Sequence, residues 1–332
     1  MSVERVADND TASRLRLLRE MTRLRIFETR VQDLFLQGLV KGTTHLGLGQ
    51  EAVACGFAGA MRADDYTFAT YRGHNHTLVR GASMAAVMGE LMGSATGLMA
   101  GKGGSMHLTS VEHHVMGSYA IVGAHLTIAN GAALSAQYRE SGQVAVCFFG
   151  DGATNIGAFH EALNMAAIWK LPTVFVCENN LYMEYTPIGQ VTAVRRPAAD
   201  RAAAYGLDAI EVDGNDVEAV LAVAQRVIEH ARTGGGPSLV EADTYRHSGH
   251  SRADPGSYRP DDELKQWLQK DPITRLRKVL AEGGTPGEVI ARLEDDCARE
   301  VEQAEAAARV GPPSDIGIVT KDVFAEGASW RS

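Results

Sequence analysis

Two short apolar runs, QVAVCFF at 143–149 and PTVFVC at 172–177, bracket a helix-length stretch from about Ile156 to Trp169. Each run has the length and composition of a buried strand, and strand, crossover helix and strand form the unit from which parallel sheets are built. The alternation continues downstream, where the strand-like DAIEV and PSLVEADTY flank the helix-like DVEAVLAVAQRVIEHAR. A chain patterned this way is expected to be α/β, with a mostly parallel sheet covered by helices on both faces.

Each apolar run gives way to a polar motif. GDGATN succeeds the first and ENN the second, so both sit where ligands bind in parallel sheets, at the carboxyl ends of the strands. Asp151 and Asn180 lie 29 residues apart, about one strand–helix–strand unit, and are expected to project from one sheet edge. A carboxylate and a carboxamide oxygen held together there suit a hard cation such as Mg²⁺, which is normally shared with phosphates. Gly150 and Gly152 would admit phosphates close to the backbone. Either motif alone is also an ordinary turn, and Asn179 is expected to bond the turn backbone.

Elsewhere the pattern is more mixed. Apolar residues from Leu17 to Phe35 recur every three or four positions, giving a helix from Ala12 to Gln37 behind a loose arm of about a dozen residues. Residues 42–125 hold seven of the eleven histidines, in glycine-rich clusters between helices such as MAAVMGELMG. IVGAHLTIANGAALSAQY offers a small-residue face for a closely packed helix. RHSGHSRADPGSYRPDDE reads as a long surface loop, functional or mobile. Two charged helices are expected from Asp262 to Arg309, broken at GGTPGE. The division expected is an arm and helix at 1–40, an α/β domain at 41–260 and a helical extension at 261–332.

A net charge of −9 argues against a nucleic-acid partner. No apolar run reaches the roughly 18–20 residues of a membrane span. Four cysteines without metal-ligand spacing, two of them in strand-like runs, point to a reducing, cytoplasmic setting.

GDG followed by NN resembles the thiamine diphosphate signature. GDGATNIGAFHEALNMAAIWKLPTVFVCENN is similar to the alpha subunits of the first component of 2-oxo acid dehydrogenases, a family that includes pyruvate and acetoin dehydrogenase alpha chains. The resemblance runs from about Leu34 to Asp271 through THLGLGQEA, TYRGH, GKGGSMHL, IVGA and GHSRADPGSYR. It implies the thiamine diphosphate-binding fold, and it implies Asp151, Asn180 and the Tyr182 carbonyl as Mg²⁺ ligands. By the same resemblance Gly152, Ala153, Tyr71 and Arg72 face the diphosphate, and the backbone at Ala120 and Val122 holds the aminopyrimidine. His45, His74 and His250 match active-site histidines, with His250 in the mobile loop and reaching the diphosphate.

The activity implied is decarboxylation of a 2-oxo acid, with transfer of the acyl group to a lipoyl group on a separate acyltransferase. In two-chain members the glutamate that activates the cofactor belongs to a beta subunit, so this chain alone is expected to be inactive and to work in an assembly of two alpha and two beta chains. Pyruvate is the first substrate expected, ahead of acetoin and branched-chain 2-oxo acids. Thr43, where an aromatic is common, LYMEYTP and Ser248 depart from the pyruvate pattern, and Thr43 is expected to widen the pocket. A non-catalytic scaffold that keeps the fold is the alternative class.

Overall fold

The computed structural model describes residues 10–321. Helices α1 (Thr11–Leu36) and α2 (Glu51–Ala60) lead into strand β1 (Tyr66–Thr70), and the short helices α3 (His74–Val79) and α4 (Met84–Leu91) precede β2 (Val115–Tyr119). Helix α5 (Ala124–Tyr138) then leads to β3 (Ala145–Gly150), and α6 (Gly157–Trp169) to β4 (Thr173–Asn179). A small hairpin, β5 (Tyr182–Met183) and β6 (Thr186–Pro187), follows at once. The sheet is completed by β7 (Ile210–Asp213) and β8 (Ser238–Asp243), joined by α7 (Val217–Arg232). Helices α8 (Glu263–Leu268), α9 (Pro272–Glu282) and α10 (Gly287–Arg309) come last.

The main sheet has the order β2-β1-β3-β4-β8-β7, and all its pairings are parallel. Its two faces follow from alternation along each strand. Ala145, Cys147 and Phe149 pack with Leu126 and Ala129 of α5 and Phe159 and Leu163 of α6. Val144, Val146 and Phe148 face the other way, onto Val53 and Phe57 of α2 and Val220 and Val227 of α7. The α/β class with helices on both faces therefore holds. The small-residue face of α5 lets α6 come near enough for Asn130 Nδ2 to donate to the Ala162 carbonyl at 2.8 Å.

A third core lies beside the sheet. Leu18, Met21, Leu24, Phe27 and Val31 of α1 pack with Val87 and Leu91 of α4, Leu276 and Leu280 of α9, and Val301 of α10. The first and last helices thus share one core with α4, so neither residue 40 nor residue 260 is a packing boundary.

Three local differences from the sequence reading have physical causes. Strands β1 and β2 escape the apolar pattern because YTFAT and VMGSY are only five residues long and carry polar or glycine positions. Helix α1 starts at Thr11, where the Asp10 carboxylate caps it by accepting from the Ser13 N–H at 2.6 Å. The rest of the expected arm, residues 1–9, lies outside the described residues. Three helices rather than two follow residue 262, because Asp271 caps a new start at Pro272 and so ends α8. Among the described residues no helix is long and apolar enough to cross a membrane.

Candidate functional site

A cavity of about 600 Å³ opens at the carboxyl edge of the sheet, where β1, β3 and β4 end. Strands β3 and β4 run in register, with Gly150 opposite Glu178, so the segments after them emerge side by side. Asp151 and Asn180 both line the cavity, at 2% and 8% exposure. The Asp151 carboxylate accepts from the Gly152 N–H at 2.7 Å through Oδ1, whereas its buried Oδ2 has no partner. Burial pushes its pKa up to about 6, against the opposing pull of the Gly152 N–H and the Arg246 charge.

The two asparagines divide between structure and site. Asn179 Oδ1 accepts from the Leu181 N–H at 3.2 Å and its Nδ2 donates to Glu241 at 2.7 Å, so this side chain holds the turn. Asn180 turns to the cavity, its Oδ1 only weakly engaged by the Tyr182 N–H at 3.4 Å. Leu181 and Glu184 take left-handed backbone conformations, φ 72° and 55°, a strained geometry for L-residues. The next hairpin fixes Tyr182, whose hydroxyl donates to Glu263 at 2.9 Å. Burial and then that carboxylate push the phenol up to about 12.

Two buried guanidiniums line the same cavity. Arg72 donates to the carbonyls of Leu46 at 2.5 Å and His250 at 2.8 Å, and burial and then Arg246 push its pKa down to about 10. Arg246, 1% exposed, donates to the Glu184 carbonyl at 2.9 Å and to His250 Nδ1 at 3.1 Å. Among the described residues neither arginine has a carboxylate partner. Because Nδ1 of His250 accepts, the neutral ring carries its proton on Nε2. Burial and the Arg72 and Arg246 charges push His250 down to about 4, and burial, then Arg72 and the neighbouring His250 and His74, push His45 down to about 3. His45, Tyr71 and His250 form one ring cluster, with His45 4.4 Å from Tyr71 and 4.9 Å from His250.

The long loop after β8 lacks regular structure but is well bonded. Asp254 accepts from the His250 N–H at 2.5 Å and the Tyr258 hydroxyl at 2.9 Å. Arg259 donates to the carbonyls of Arg246 at 2.9 Å and Ser248 at 2.7 Å, and lies over the ring of Tyr245 at 4.9 Å.

Tyr71, Arg72, Ala120, Val122, Asp151, Gly152, Ala153, Asn180 and Tyr182 all line this one cavity, as do His45 and His250. His74 does not. It is fully buried behind the wall, its Nδ1 bonded to Glu28 at 2.9 Å and its Nε2 to Ser105 at 2.8 Å. Thr43 is exposed and lies off the cavity, because the chain turns inward only at Thr44, so it does not shape the pocket as expected. Ser248 lines a separate polar cavity beside the loop. Arg246, Met106, Met183 and Glu178 also line the main cavity; the last three belong to the motifs GKGGSMHL, LYMEYTP and ENN, but none of the four was named as a site residue from the sequence. Arg246 was within reach, since it follows β8 at the same sheet edge.

Among the described residues no group of three or more His, Cys, Asp or Glu side chains is arranged to hold a metal ion. An unpartnered buried carboxylate oxygen, a carboxamide and two guanidiniums without carboxylate partners, all lining one cavity, fit a hard cation carrying a polyanion.

Residues 19–316 match the family model of the dehydrogenase E1 component. The chain is 42% identical over 310 residues to the alpha subunit of acetoin:2,6-dichlorophenolindophenol oxidoreductase of Bacillus subtilis, covering 93% of this chain and 92% of that protein. It is 38% identical over 321 residues to the pyruvate dehydrogenase E1 component subunit alpha of Rhizobium meliloti, covering 96% and 92%. With the subunit of the same description from Zymomonas mobilis the identity is 39% over 314 residues, covering 94% and 88%.

Proposed function

The chain belongs to the dehydrogenase E1 component family, and on that premise we propose that it is the alpha subunit of a thiamine diphosphate-dependent oxidoreductase that decarboxylates a 2-oxo acid, pyruvate first, and passes the acyl group to a lipoyl acyltransferase. The observation that carries this reading is that the Asp151 carboxylate, with its open Oδ2, shares one cavity with the guanidiniums of Arg72 and Arg246.

In this reading Asp151, Asn180 and the Tyr182 carbonyl hold Mg²⁺. The N–H groups of Gly152 and Ala153, with Tyr71, Arg72, Arg246 and His250 Nε2–H, take the diphosphate. Ala120 and Val122 hold the aminopyrimidine by their backbones. Bound thiamine diphosphate supplies the carbon nucleophile and electron sink for loss of carbon dioxide. The protein orients it and keeps water away from the reacting atoms with Met106, Met183 and Ile156. His45 is neutral, with Nδ1 unpartnered, which leaves it an uncharged hydrogen-bonding group at the cavity wall.

A beta chain is needed to complete the site, in an assembly of two alpha and two beta chains. Supporting this, Ile121 and Val122 stand 72% and 47% exposed at the cavity rim, an arrangement that suits cover by a partner. Four free, buried thiols support a reducing, cytoplasmic setting. A second reading, oxidation of acetoin, is favoured by the 42% identity to an acetoin oxidoreductase subunit.

The test is reconstitution with the beta chain, Mg²⁺ and thiamine diphosphate, and turnover of pyruvate, acetoin and branched-chain 2-oxo acids with an artificial electron acceptor. Pyruvate is expected to be the fastest, and the alpha chain alone inactive. Acetoin as the sole substrate supports the second reading. Absence of any calorimetric heat with thiamine diphosphate, Mg²⁺ and the beta chain leaves a non-catalytic scaffold.

A further inference from the structure

Helix α1 carries a charge where its packing calls for none. Glu28 is fully buried beside Leu24, Phe27 and Val31, all equally buried. A carboxylate there costs several kcal/mol unless its oxygens are bonded. Both are bonded, and each bond reaches a different distant segment.

Oε1 accepts from the Gly47 N–H at 2.9 Å, and Oε2 accepts from His74 Nδ1 at 2.9 Å. With Nδ1 donating, His74 Nε2 becomes the acceptor for the Ser105 hydroxyl at 2.8 Å. The Gly47 peptide is also held from its other side, where Asn75 Nδ2 donates to its carbonyl at 3.0 Å. A Cβ at Gly47 would fall 2.5 Å from Asn75 Nδ2 and 3.2 Å from the Glu28 carboxylate, so this approach requires glycine.

Each segment that Glu28 reaches stands next to a wall of the cavity. His45 and Leu46, whose carbonyl receives Arg72, immediately precede Gly47. Tyr71 and Arg72 are three and two residues before His74, and Met106 follows Ser105. Three segments that meet only in the folded chain are thus referred to one carboxylate.

We propose that Glu28 is a positioning residue which, through Gly47 and through His74 and Ser105, sets the mutual register of the three cavity walls that carry His45, Tyr71–Arg72 and Met106. The role rests on the cofactor reading above. It also reassigns His74 from contact with substrate to transmission of position. Outer-shell partners of this kind change ligand affinity without touching the ligand.

The experiment compares wild type, Glu28→Gln, Ser105→Ala and the double variant, each assembled with the beta chain. Thiamine diphosphate affinity is measured by calorimetry with Mg²⁺, and amide hydrogen exchange at 45–49 and 103–108 is followed in the cofactor-free protein. Glu28→Gln, which keeps shape but loses one acceptor, is expected to weaken binding about tenfold and speed exchange in both segments. Ser105→Ala is expected to weaken binding about threefold with Tm unchanged, and to speed exchange only at 103–108. The double variant should bind no more weakly than Glu28→Gln, because both lesions break one connected network. Unchanged affinity in Glu28→Gln, or single losses that multiply in the double variant, would overturn the proposal. If Glu28→Gln does not fold, Ser105→Ala decides by its affinity and exchange. Failure of the wild-type assembly to bind thiamine diphosphate would instead sink the functional reading, and exchange in the variants would still decide the network.

Discussion

Two buried carboxylates in this chain are treated in opposite ways. Glu90, near the end of α4, is fully buried, and the loop after it wraps its carboxylate with four backbone donors. Met99 and Gly101 donate to Oε2 at 2.7 and 2.8 Å, and Gly103 and Gly104 to Oε1 at 2.7 and 3.1 Å. Asp151, 2% exposed, receives one N–H bond and keeps Oδ2 open. A carboxylate whose lone pairs are used up stabilises a loop. One left incomplete beside guanidiniums without carboxylate partners holds its capacity for a ligand.

The contrast is broken most directly at Asp151. Asp151→Asn should lower the turnover of the reconstituted complex roughly a thousandfold, about 4 kcal/mol of lost cation-mediated stabilisation. The same change should leave the Tm of the cofactor-free chain equal or higher, since an incompletely bonded buried charge is removed. A fall of several degrees would show that Asp151 is structural, like Glu90.

Glu90→Ala should do the reverse. It leaves four half-buried N–H groups without their acceptor, a cost of about 3 kcal/mol, read as a lower urea midpoint at unchanged slope. Any activity that remains should still saturate with thiamine diphosphate at the wild-type concentration.

Smaller effects test the cationic wall. Arg72→Lys keeps a charge but loses the fork that reaches two carbonyls and, on the proposed reading, would take the diphosphate; it should weaken thiamine diphosphate binding about tenfold by calorimetry.

The smallest effect is on pH dependence. His45, His125 and His250 are pushed down to about 3, 4 and 4 from the ordinary 6.5, chiefly by burial. As pH falls, the unfolded chain takes up these protons first, so their contribution is full above pH 6.5 and is lost between there and about pH 4. The Tm of the cofactor-free chain should therefore drop between about pH 7 and about pH 5, and His250→Gln should shrink that drop. An undiminished drop would place the titration elsewhere.

Much of the sheet could be read from local pattern. QVAVCFF and PTVFVC appear as β3 and β4, and the polar motifs after them meet at one edge because neighbouring parallel strands end together. Helices α5, α6 and α7 were legible for the same reason, since their periodicity is a property of a dozen consecutive residues. Strands β1 and β2 were not, because their burial comes from strand neighbours rather than from their own composition.

The sequence by itself determined the α/β class, the adjacency of β3 and β4 and the placement of Asp151 and Asn180 at one sheet edge, since each depends on short spacings along the chain. Only the tertiary structure decided that Arg246 faces Arg72, that Thr43 stands outside the pocket, and that His74 turns from the cavity toward Glu28, 46 residues away in the chain. Whether a polar side chain is solvated, satisfied or left open depends on which distant segments press against it, and that is settled by the packing of the whole core.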